Sequence, residues 1–291
     1  MELRVLQYFL AIAKEESISK AANYLHISQP TLSRQIKEME EQLGTVLFIR
    51  GSRKITLTED GLLLRQRAEE IMALVNRTEA DLISKESTLS GSIYIGCGET
   101  EGMSDIAKAI NTVVKDHHEV QFHLHSGNAQ DILDRLEKGL IDFGVLIGHH
   151  PISSYHYIKL PSHDITGVLM KKDHPLAAKA TLTLQDLQPY PLIISQQDLE
   201  AGLLPAFLTE QKQFHIVATY NLLYNASLMV KADIGLALGL DKLIDTSQSE
   251  LCFRPLSPVI ETELFFVWKK YQRFSKAAQY FLKTLQQQLT K

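Results

Sequence analysis

The sequence predicts a multidomain fold in which a small helical segment and one long helix precede a two-lobed α/β region. Length is the first observation, since 291 residues exceed what one hydrophobic core usually organises. The second is that apolar residues recur at helical spacing near the N-terminus and as a heptad repeat over residues 64–82. The third is that short apolar strands alternate with helical segments from residue 91 onward, which is typical of a parallel sheet covered by helices.

Composition excludes several classes of protein. Apolar residues make up 45% of the chain and charged residues 22%, as in globular rather than disordered proteins. No apolar run reaches the roughly 20 residues that span a bilayer, and the apolar stretch near the N-terminus leads to no small-residue cleavage site. We therefore expect a cytoplasmic protein with no membrane partner. Two cysteines, Cys97 and Cys252, are too few for a disulfide framework, and we interpret them as buried thiols, with a redox pair as the alternative.

The first 44 residues predict three short helices. Apolar residues at helical spacing mark the first helix and a second helix over Ser17–Leu25. Ser28 is a good N-cap for the third helix, Pro30 fits its first turn, and Gly44 is placed to end it. The stripe of the third helix that we expect to be buried comprises Leu32, Ile36, Met39 and Leu43.

The outer face of the third helix carries polar side chains that suit DNA. Arginine pairs with guanine, glutamine with adenine, and serine or threonine with bases or phosphates. Two helices joined by a short turn, the second with a polar N-terminal half, match the docking geometry of a helix-turn-helix. A solvated face on a helical bundle is the alternative for such a helix taken alone. The residues concerned are Gln29, Thr31, Ser33, Arg34 and Lys37.

Residues 46–61 add a feature that favours DNA binding. Two short extended segments surround Gly51 and Ser52, which predicts a β-hairpin wing, and Thr58 follows as the N-cap of the next helix. The chain has a net charge of -4, but residues 28–58 hold five basic and three acidic side chains. A local basic patch of this kind binds phosphates even on an acidic protein. The basic residues at the tip are Arg50, Arg53 and Lys54.

The run from Ser17 to Gly61 resembles the DNA-binding segment of LysR-type transcriptional regulators. The resemblance rests on SQPTLSRQI in the third helix, on LG and LF after it, and on an arginine followed by LT and glycine in the wing. Met39, where the family usually has leucine, and Ile18, where it often has an aromatic residue, depart from the pattern outside the DNA face. The resemblance and the side-chain chemistry predict DNA contacts by Ser28, Gln29, Pro30, Thr31, Ser33, Arg34, Lys37, Arg50, Arg53 and Lys54.

Residues 59–88 predict one long helix with a heptad seam. The seam residues are spaced alternately by four and three positions, as in a two-helix coiled coil. A helix packed on its own domain is the alternative. The resemblance implies a dimerising linker in a homodimer or homotetramer, which would bind a pseudo-palindromic site in double-stranded operator DNA. The seam comprises Leu64, Ala68, Ile71, Val75, Thr78 and Leu82.

Residues 89–291 predict two α/β lobes that form a clamp. Strand and helix patterns alternate through both lobes, and crossovers are expected near Ile158–His163 and Ser257–Glu263. This arrangement resembles the effector-binding domain of the same family, to which the segments IDFGVLIG and VKADIGLALG also correspond. We expect the winged helix-turn-helix domain over residues 1–58, the linker helix over 59–88, lobe I over about 91–160 and 263–291, and lobe II over about 161–262.

The turns after the predicted strands form the candidate site for a small-molecule effector. Clamps of this kind bind ligands at the carboxyl ends of strands, beside helix N-termini. An ordinary cap or turn residue is the alternative at each position. Glu99 and Glu101 would either repel an anion or attract a cation, a choice that the sequence leaves open. The resemblance implies contacts by Thr100, Asn128, Ser195 and Gln196, to which the turns add Glu101, Ser126 and Asn221.

No metal, cofactor or catalytic site is predicted. His123 and His125 lie on one face of a strand, and His149 and His150 follow the next strand. Four imidazoles would suit a metal, but no cysteine joins them, and paired histidines in strands are often half-buried. The sequence lacks nucleophile, phosphate-loop and zinc-protease motifs, so an enzyme is not expected.

The leading hypothesis is a bacterial transcription regulator that binds operator DNA and responds to an effector. It would contact RNA polymerase if it is an activator. A solute-binding protein or enzyme that uses the clamp alone is the first rival, but it leaves the first sixty residues without a role. A constitutive DNA-binding factor with an empty cleft is the second rival.

Overall fold

The computed structural model consists of two compact units, Met1–Ile83 and Ser84–Lys291. The first unit contains the predicted DNA-binding segment and the long helix, and the second contains the α/β lobes. Within the described part of the chain, no helix is both long and apolar enough to cross a bilayer. The described residues are 1–51, 54–83, 89–148, 150–201 and 214–290.

The first unit forms a winged helix-turn-helix, as the sequence predicts. Three helices are followed by a two-stranded antiparallel hairpin that pairs Phe48 with Leu57 and Arg50 with Ile55. The unit ends with a helix of 25 residues. Its elements are α1 (Leu3–Glu15), α2 (Ile18–Tyr24), α3 (Gln29–Leu43), β1 (Phe48–Arg50), β2 (Ile55–Leu57) and α4 (Glu59–Ile83).

The helix boundaries in this unit follow from the predicted capping residues. The Ser28 hydroxyl accepts a hydrogen bond from the N–H of Thr31 at 3.3 Å, and the Thr58 hydroxyl accepts one from Gly61 at 2.9 Å. Gly44 ends α3 with a φ of +69°, a left-handed conformation that glycine adopts without steric cost. These caps define α3 as a separate helix after a short turn.

The core of the first unit contains most of the predicted apolar stripe of α3. Leu32 and Ile36 are buried, and Met39 packs beside them as expected. Leu43 differs, because its side chain is 45% exposed. It lies in the last turn of α3, directly before Gly44, where the helix extends past the core. The prediction that Leu43 is buried is therefore wrong.

The first half of the predicted seam on α4 packs within its own unit. Ala68 has no exposed surface, and Leu64 and Ile71 pack against the same core. This packing supports the alternative of a helix packed on its own domain at these three positions, while their role in a dimer interface stays a prediction. Heptad spacing misleads here because it predicts an apolar face without saying which partner covers it. Further along, Val75 is half-buried, Thr78 is exposed and the side chain of Leu82 lies outside the described residues.

The second unit is a two-lobed α/β fold, as the alternation of strands and helices predicts. A short 3₁₀ turn lies at Pro175–Ala178. The helix predicted over Leu203–Gln211 lies outside the described residues. The elements are β3 (Gly91–Cys97), α5 (Met103–Asp116), β4 (Val120–Ser126), α6 (Ala129–Glu137), β5 (Phe143–Ile147), β6 (Tyr155–Lys171), α7 (Leu184–Leu187), β7 (Pro191–Ser195), α8 (Gln196–Ala201), β8 (His215–Tyr220), α9 (Leu223–Lys231), β9 (Leu236–Leu240), β10 (Leu251–Pro255), β11 (Glu261–Lys269) and α10 (Lys276–Leu289).

Parallel strands form the outer part of the sheet in each lobe. In lobe I, β3 pairs in parallel with β4 and β5, and in lobe II β7 pairs in parallel with β8 and β9. The order across the described sheet is β4-β3-β5-β11-β6-β9-β7-β8, with β10 beside β6. The polypeptide crosses between lobes through β6, a strand of 17 residues that pairs with β11 in lobe I and with β9 and β10 in lobe II. The crossover expected near Ile158–His163 is thus continuous extended strand.

Each lobe has its own core, and each core contains one cysteine. In lobe I, Phe143 contacts the rings of Phe266 and Phe281, and Cys97 belongs to the same cluster. Cys252 belongs to the core of lobe II. Burial raises the pKa of both thiols above its ordinary value, which keeps them protonated at neutral pH. The interpretation of both cysteines as buried thiols is confirmed.

Candidate DNA-binding surface and ligand cleft

The outer face of α3 presents most of the side chains that are predicted to read DNA. The side chains of Arg34 and Lys37 are 71% and 72% exposed. Ser33 differs from the other predicted residues of this face, since it is half-buried. Amide, hydroxyl and cationic groups therefore lie together in the first turns of α3, where a recognition helix contacts base edges. The exposed members of the predicted set are Ser28, Gln29, Pro30, Thr31, Arg34 and Lys37.

Two contacts on this face were not evident from the sequence. The hydroxyl of Ser19 on α2 donates a hydrogen bond of 3.0 Å to the side-chain oxygen of Gln29, which orients the amide. The Nε atom of Arg34 lies 3.6 Å from the carboxylate of Glu38, one helical turn away. Since both partners are exposed, this ion pair contributes little stability, and the guanidinium can exchange Glu38 for a base.

The hairpin, or wing, carries basic residues near its tip. Arg50 ends β1 and Lys54 precedes β2, and both are exposed. The N–H of Gly51 donates to the Lys54 carbonyl at 3.1 Å, and the Nζ of Lys54 lies 3.4 Å from Glu16. Arg53 lies outside the described residues. The described part of the wing thus presents exposed cations that suit phosphates.

A cavity of about 260 Å³, the cleft, lies between the two lobes of the second unit. Lobe I contributes the ends of β3, β4 and β5 and the turns after them, and lobe II contributes those of β7, β8 and β9. The cleft therefore lies at the carboxyl ends of the parallel strands, where α/β folds of this kind bind ligands. Neutral polar residues that line it include Asn128, Thr166, Ser195, Gln197, Tyr220 and Asn221.

Two hydrogen bonds cross the cleft and end at helix N-termini. The Oε2 atom of Glu99 in lobe I accepts a hydrogen bond of 2.8 Å from the N–H of Leu223, the first residue of α9 in lobe II. In the opposite direction, the side-chain oxygen of Gln197 in lobe II accepts one of 3.1 Å from Ala129, the first residue of α6. The N-cap residue of α9, Leu222, supplies no side-chain cap, so Glu99 takes that role from the other lobe.

Three of the predicted effector contacts line the cleft, namely Asn128, Ser195 and Asn221. Asn128 also caps α6, because its side chain accepts a hydrogen bond of 2.8 Å from the N–H of Asp131. The cap interpretation and the ligand interpretation are therefore compatible at this position. Contact with an effector stays a prediction for all three residues.

The other four predicted effector contacts do not line the cleft. Thr100 is buried, and its hydroxyl accepts a hydrogen bond of 3.0 Å from Gly102 in the turn before α5. Gln196 is exposed at the start of α8, and because a helix turns about 100° per residue, Gln197 faces the cleft instead. Strand patterns do not show this rotation, nor that the side chain of Glu99 crosses the cleft. Effector contact at these positions stays a prediction; they are Thr100, Glu101, which lines a second cavity, the exposed Ser126, and Gln196.

The charged residues that line the cleft are carboxylates. Glu99, Glu261 and Glu263 line it, whereas no lysine, arginine or histidine among the described residues does. The Oε1 atom of Glu263 lies 2.5 Å from the Nζ of Lys159, and Glu261 lies 3.8 Å from the imidazole of His163. Both partners lie outside the lining, so the charged side chains that a ligand meets directly are carboxylates.

A buried carboxylate lies in β6, the strand that connects the lobes. Asp164 is 3% exposed and lines a second cavity of about 210 Å³ with Glu101, Asp241 and Lys242. Burial raises the pKa of Asp164, and this effect outweighs the Thr100 hydroxyl and the N–H of Glu101, which favour the charged form. Both carboxylate oxygens of Asp164 are buried without a hydrogen-bond partner of normal geometry among the described residues, so burial dominates at this position.

The described histidines do not form a metal centre, and no group of three or more metal-ligating side chains occurs in the described residues. His123 stacks on an aromatic ring of β3 with centroids 4.6 Å apart, and His125 lies 2.6 Å from Asp131. The Nε2 atom of His150 lies 2.8 Å from a carbonyl oxygen at the end of β5. His149 lies outside the described residues.

Two protein families match this chain in their expected places. The family described as "Bacterial regulatory helix-turn-helix protein, lysR family" matches residues 3–62, and the "LysR substrate binding domain" matches residues 86–290. The second match alone covers more than half of the chain. The chain belongs to the LysR family of bacterial transcription regulators. This membership confirms the predicted fold class and the prediction of a DNA-binding regulator rather than an enzyme.

Individual relatives agree with this assignment of the LysR regulator. It is 28% identical over 241 residues to the uncharacterized HTH-type transcriptional regulator YvbU of Bacillus subtilis strain 168, covering 82% of this chain and 81% of that one. It is 30% identical over 195 residues to a hydrogen peroxide-inducible genes activator of Pectobacterium carotovorum, covering 67% and 64%. The crystal structure of full-length CbnR complexed with its target DNA superposes with a TM-score of 0.75 at 17% identity, over 99% of this chain and 100% of that chain. At that identity the superposition supports the fold.

Proposed function

We propose that this LysR regulator binds double-stranded operator DNA as a homodimer or homotetramer, and that a small-molecule effector in the cleft changes this binding. The observation that carries the proposal is the exposed face of α3, which groups amide, hydroxyl and guanidinium side chains at the start of a capped helix. These are the groups that pair with base edges in the major groove. The regulator acts in the bacterial cytoplasm, and it contacts RNA polymerase if it activates transcription.

The predicted DNA contacts divide into base-reading and phosphate-binding side chains. Gln29, Thr31 and Arg34 lie in the N-terminal half of α3, from which recognition helices reach base edges. Lys37 and the wing residues carry charge without an amide or hydroxyl, so they suit phosphates, which set the register on the duplex. Loss of a base-reading residue should reduce sequence discrimination, whereas loss of a phosphate-binding residue should weaken binding to all sequences.

A second copy of the chain is proposed to cover the outer face of α4. Leu63 and Leu74 lie about three turns apart on one side of this helix, and their side chains are 57% and 44% exposed. This face differs from the predicted seam, whose first half packs against the core of its own unit. Pairing two chains along α4 would place two recognition helices on one DNA site, which increases discrimination over a single helix.

The cleft is proposed as the effector site because three predicted effector contacts line it and because hydrogen bonds between the two lobes cross it. The hydrogen bonds that the N–H of Leu223 donates to Glu99 and the N–H of Ala129 donates to Gln197 depend on the spacing of the lobes. A ligand that alters either bond favours one lobe arrangement over another. It changes DNA binding only if it has different affinities for the two corresponding assembly states.

Selection of duplexes from a random library by the full-length protein tests the DNA part of the proposal. We expect enrichment of a pseudo-palindromic site, and affinity for it, measured by fluorescence anisotropy, should fall steeply with salt because phosphate contacts release counterions. A solute-binding protein would enrich no sequence and show no salt-dependent binding, and that result would overturn the assignment of α3 as the reading surface.

A thermal-shift screen of metabolites, followed by anisotropy with each hit, tests the effector part. An effector that binds the native state raises the unfolding temperature by mass action. It should also change the affinity for the selected duplex. Hits that stabilise the protein but leave DNA affinity unchanged would contradict effector control while leaving the DNA-binding proposal intact.

A further inference from the structure

We infer that the cleft binds a small organic cation, such as a primary amine, and rejects carboxylates of the same size. This inference rests on the proposed function of the cleft as the effector site and adds the chemical class of the ligand. It depends on two independent observations: the protein's own acceptors bind the first N–H groups of two helices that begin at the cleft, and the charged residues that line the cleft are carboxylates.

The first observation concerns the N-termini of α6 and α9. The N-terminus of a helix normally offers N–H groups and a partial positive charge of roughly half an elementary charge to an anion. Here the first N–H of α9 donates to Glu99, and the first N–H of α6 donates to Gln197. A carboxylate ligand would have to displace these acceptors and then lie beside the charge of Glu99.

The second observation concerns the charge that a ligand meets. Glu99, Glu261 and Glu263 line the cleft, and no basic side chain among the described residues lines it. Lys159 pairs with Glu263 at 2.5 Å from outside the lining, and the positive end of α9 partly balances Glu99, so the charge that remains is that of Glu261 and part of that of Glu99. The balance remains negative, so an ammonium group gains an attractive interaction where a carboxylate is repelled.

The neutral groups of the cleft are compatible with a donor-rich ligand. The carbonyl and hydroxyl oxygens of Asn128, Thr166 and Ser195 can accept hydrogen bonds from an ammonium group, which has three donors and no acceptor. The volume of about 260 Å³ is just below the usual range for drug-sized ligands, so a compound with few heavy atoms fits.

Three four-carbon probes of matched size test the inference on the full-length protein: diaminobutane, butanediol and succinate. Thermal unfolding is measured with each probe at equal concentration and ionic strength. We expect the largest stabilisation with diaminobutane, less with butanediol and none with succinate. Equal shifts for all three probes, or a larger shift with succinate, would overturn the inference.

Variants assign the effect to the cleft. Glu99→Ala removes one negative charge and vacates the first N–H of α9, so diaminobutane should bind on the order of tenfold more weakly and succinate should begin to stabilise. Glu99→Gln neutralises the charge but keeps the acceptor, so it should weaken diaminobutane without recruiting succinate. This second variant serves if Glu99→Ala does not fold.

Glu250→Gln provides the matched control, since it removes an exposed carboxylate of the second unit that does not line the cleft. The thermal shifts of Glu250→Gln with the three probes should equal those of the parent. If Glu250→Gln weakens diaminobutane as much as Glu99→Ala does, the preference reflects overall charge and the inference is wrong. Failure of the duplex selection would contradict the proposed DNA binding but leave these ligand results standing, so the two failures are distinguishable.

Discussion

Glu99 and Leu223 are joined across the cleft by a hydrogen bond of 2.8 Å, although 124 positions separate them along the chain. The Glu99 carboxylate satisfies an N–H that α9 does not cap by itself, and its charge interacts favourably with the helix dipole. We therefore expect Glu99→Ala to lower the free energy of unfolding of the second unit by about 1–2 kcal/mol.

Urea unfolding followed by the fluorescence of Trp268 measures this effect. Trp268 is the only tryptophan, and it lies on β11, so its signal reports on the second unit. Glu250→Ala, which truncates an exposed side chain, should leave the midpoint unchanged. A midpoint for Glu99→Ala equal to that of the parent would show that the cross-cleft bond adds no stability.

Arg34→Ala should weaken binding to the selected operator by about 1–3 kcal/mol and affect random duplex less. The guanidinium is 71% exposed and its pair with Glu38 is weak, so the substitution removes a DNA contact without disturbing the fold. Anisotropy competition between the two duplexes at fixed salt gives both affinities. Arg4→Ala, on the exposed surface of α1, is the control and should match the parent. Parent-like discrimination by Arg34→Ala would show that another residue reads the site.

Leu63→Ser combined with Leu74→Ser should weaken self-association of the full-length chain. Both side chains are more than 40% exposed in the single chain, so their replacement costs little folding energy but removes apolar area from the proposed interface between two copies of α4. Sedimentation over a range of protein concentrations measures the change. Unchanged association would place the dimer interface elsewhere.

Ala68→Leu should lower the stability of the first unit rather than weaken self-association. Ala68 has no exposed surface, so a larger side chain must displace its neighbours in the core of the first unit, at about 1–3 kcal/mol. Thermal unfolding monitored by helical circular dichroism reports the loss. If Ala68→Leu left stability unchanged and weakened association, the heptad interpretation of this position would be correct after all.

The sequence predicts the elements of the first unit well because their signals are local. Ser28, Thr58 and Gly44 act within a few residues of their own positions, so their capping roles can be read directly. The burial of Leu43 was wrongly predicted, and the partner of Ala68 was left open, for the opposite reason: burial depends on which other element covers a face. Periodicity predicts an apolar face but does not identify its partner.

In the cleft, too, local sequence patterns do not identify the partner of a side chain. Asn128 is predictable because a turn residue before a helix is a cap and lies at a strand end. The roles of Glu99 and Gln197 depend on where the opposite lobe lies, which no local pattern contains. Thr100 also lies outside the cleft lining, because it is buried and its hydroxyl accepts a hydrogen bond from Gly102, a contact that no strand pattern predicts.

Asp164 connects the stability of the second unit to pH. Burial raises the pKa of Asp164, which lies in β6, the strand that connects the lobes. The folded state therefore favours the protonated carboxyl more than the unfolded state does. The stability that protonation supplies is fully present below the unfolded pKa and is lost as pH rises through the folded pKa. Burial therefore penalises the ionised form of Asp164, and this penalty falls on the folded state as pH rises.

Asp164→Asn should raise the unfolding midpoint near about pH 7.5, because the amide carries no charge to desolvate, and the gain should shrink as pH falls and the parent carboxyl gains its proton. Urea titrations at several pH values, followed by Trp268 fluorescence, measure this dependence. Asp173→Asn replaces an exposed carboxylate of lobe II and should show no comparable pH-dependent gain. A variant Asp164→Asn that is less stable than the parent near about pH 7.5 would mean that the Thr100 hydroxyl and the Glu101 N–H stabilise the charged carboxylate more than burial disfavours it.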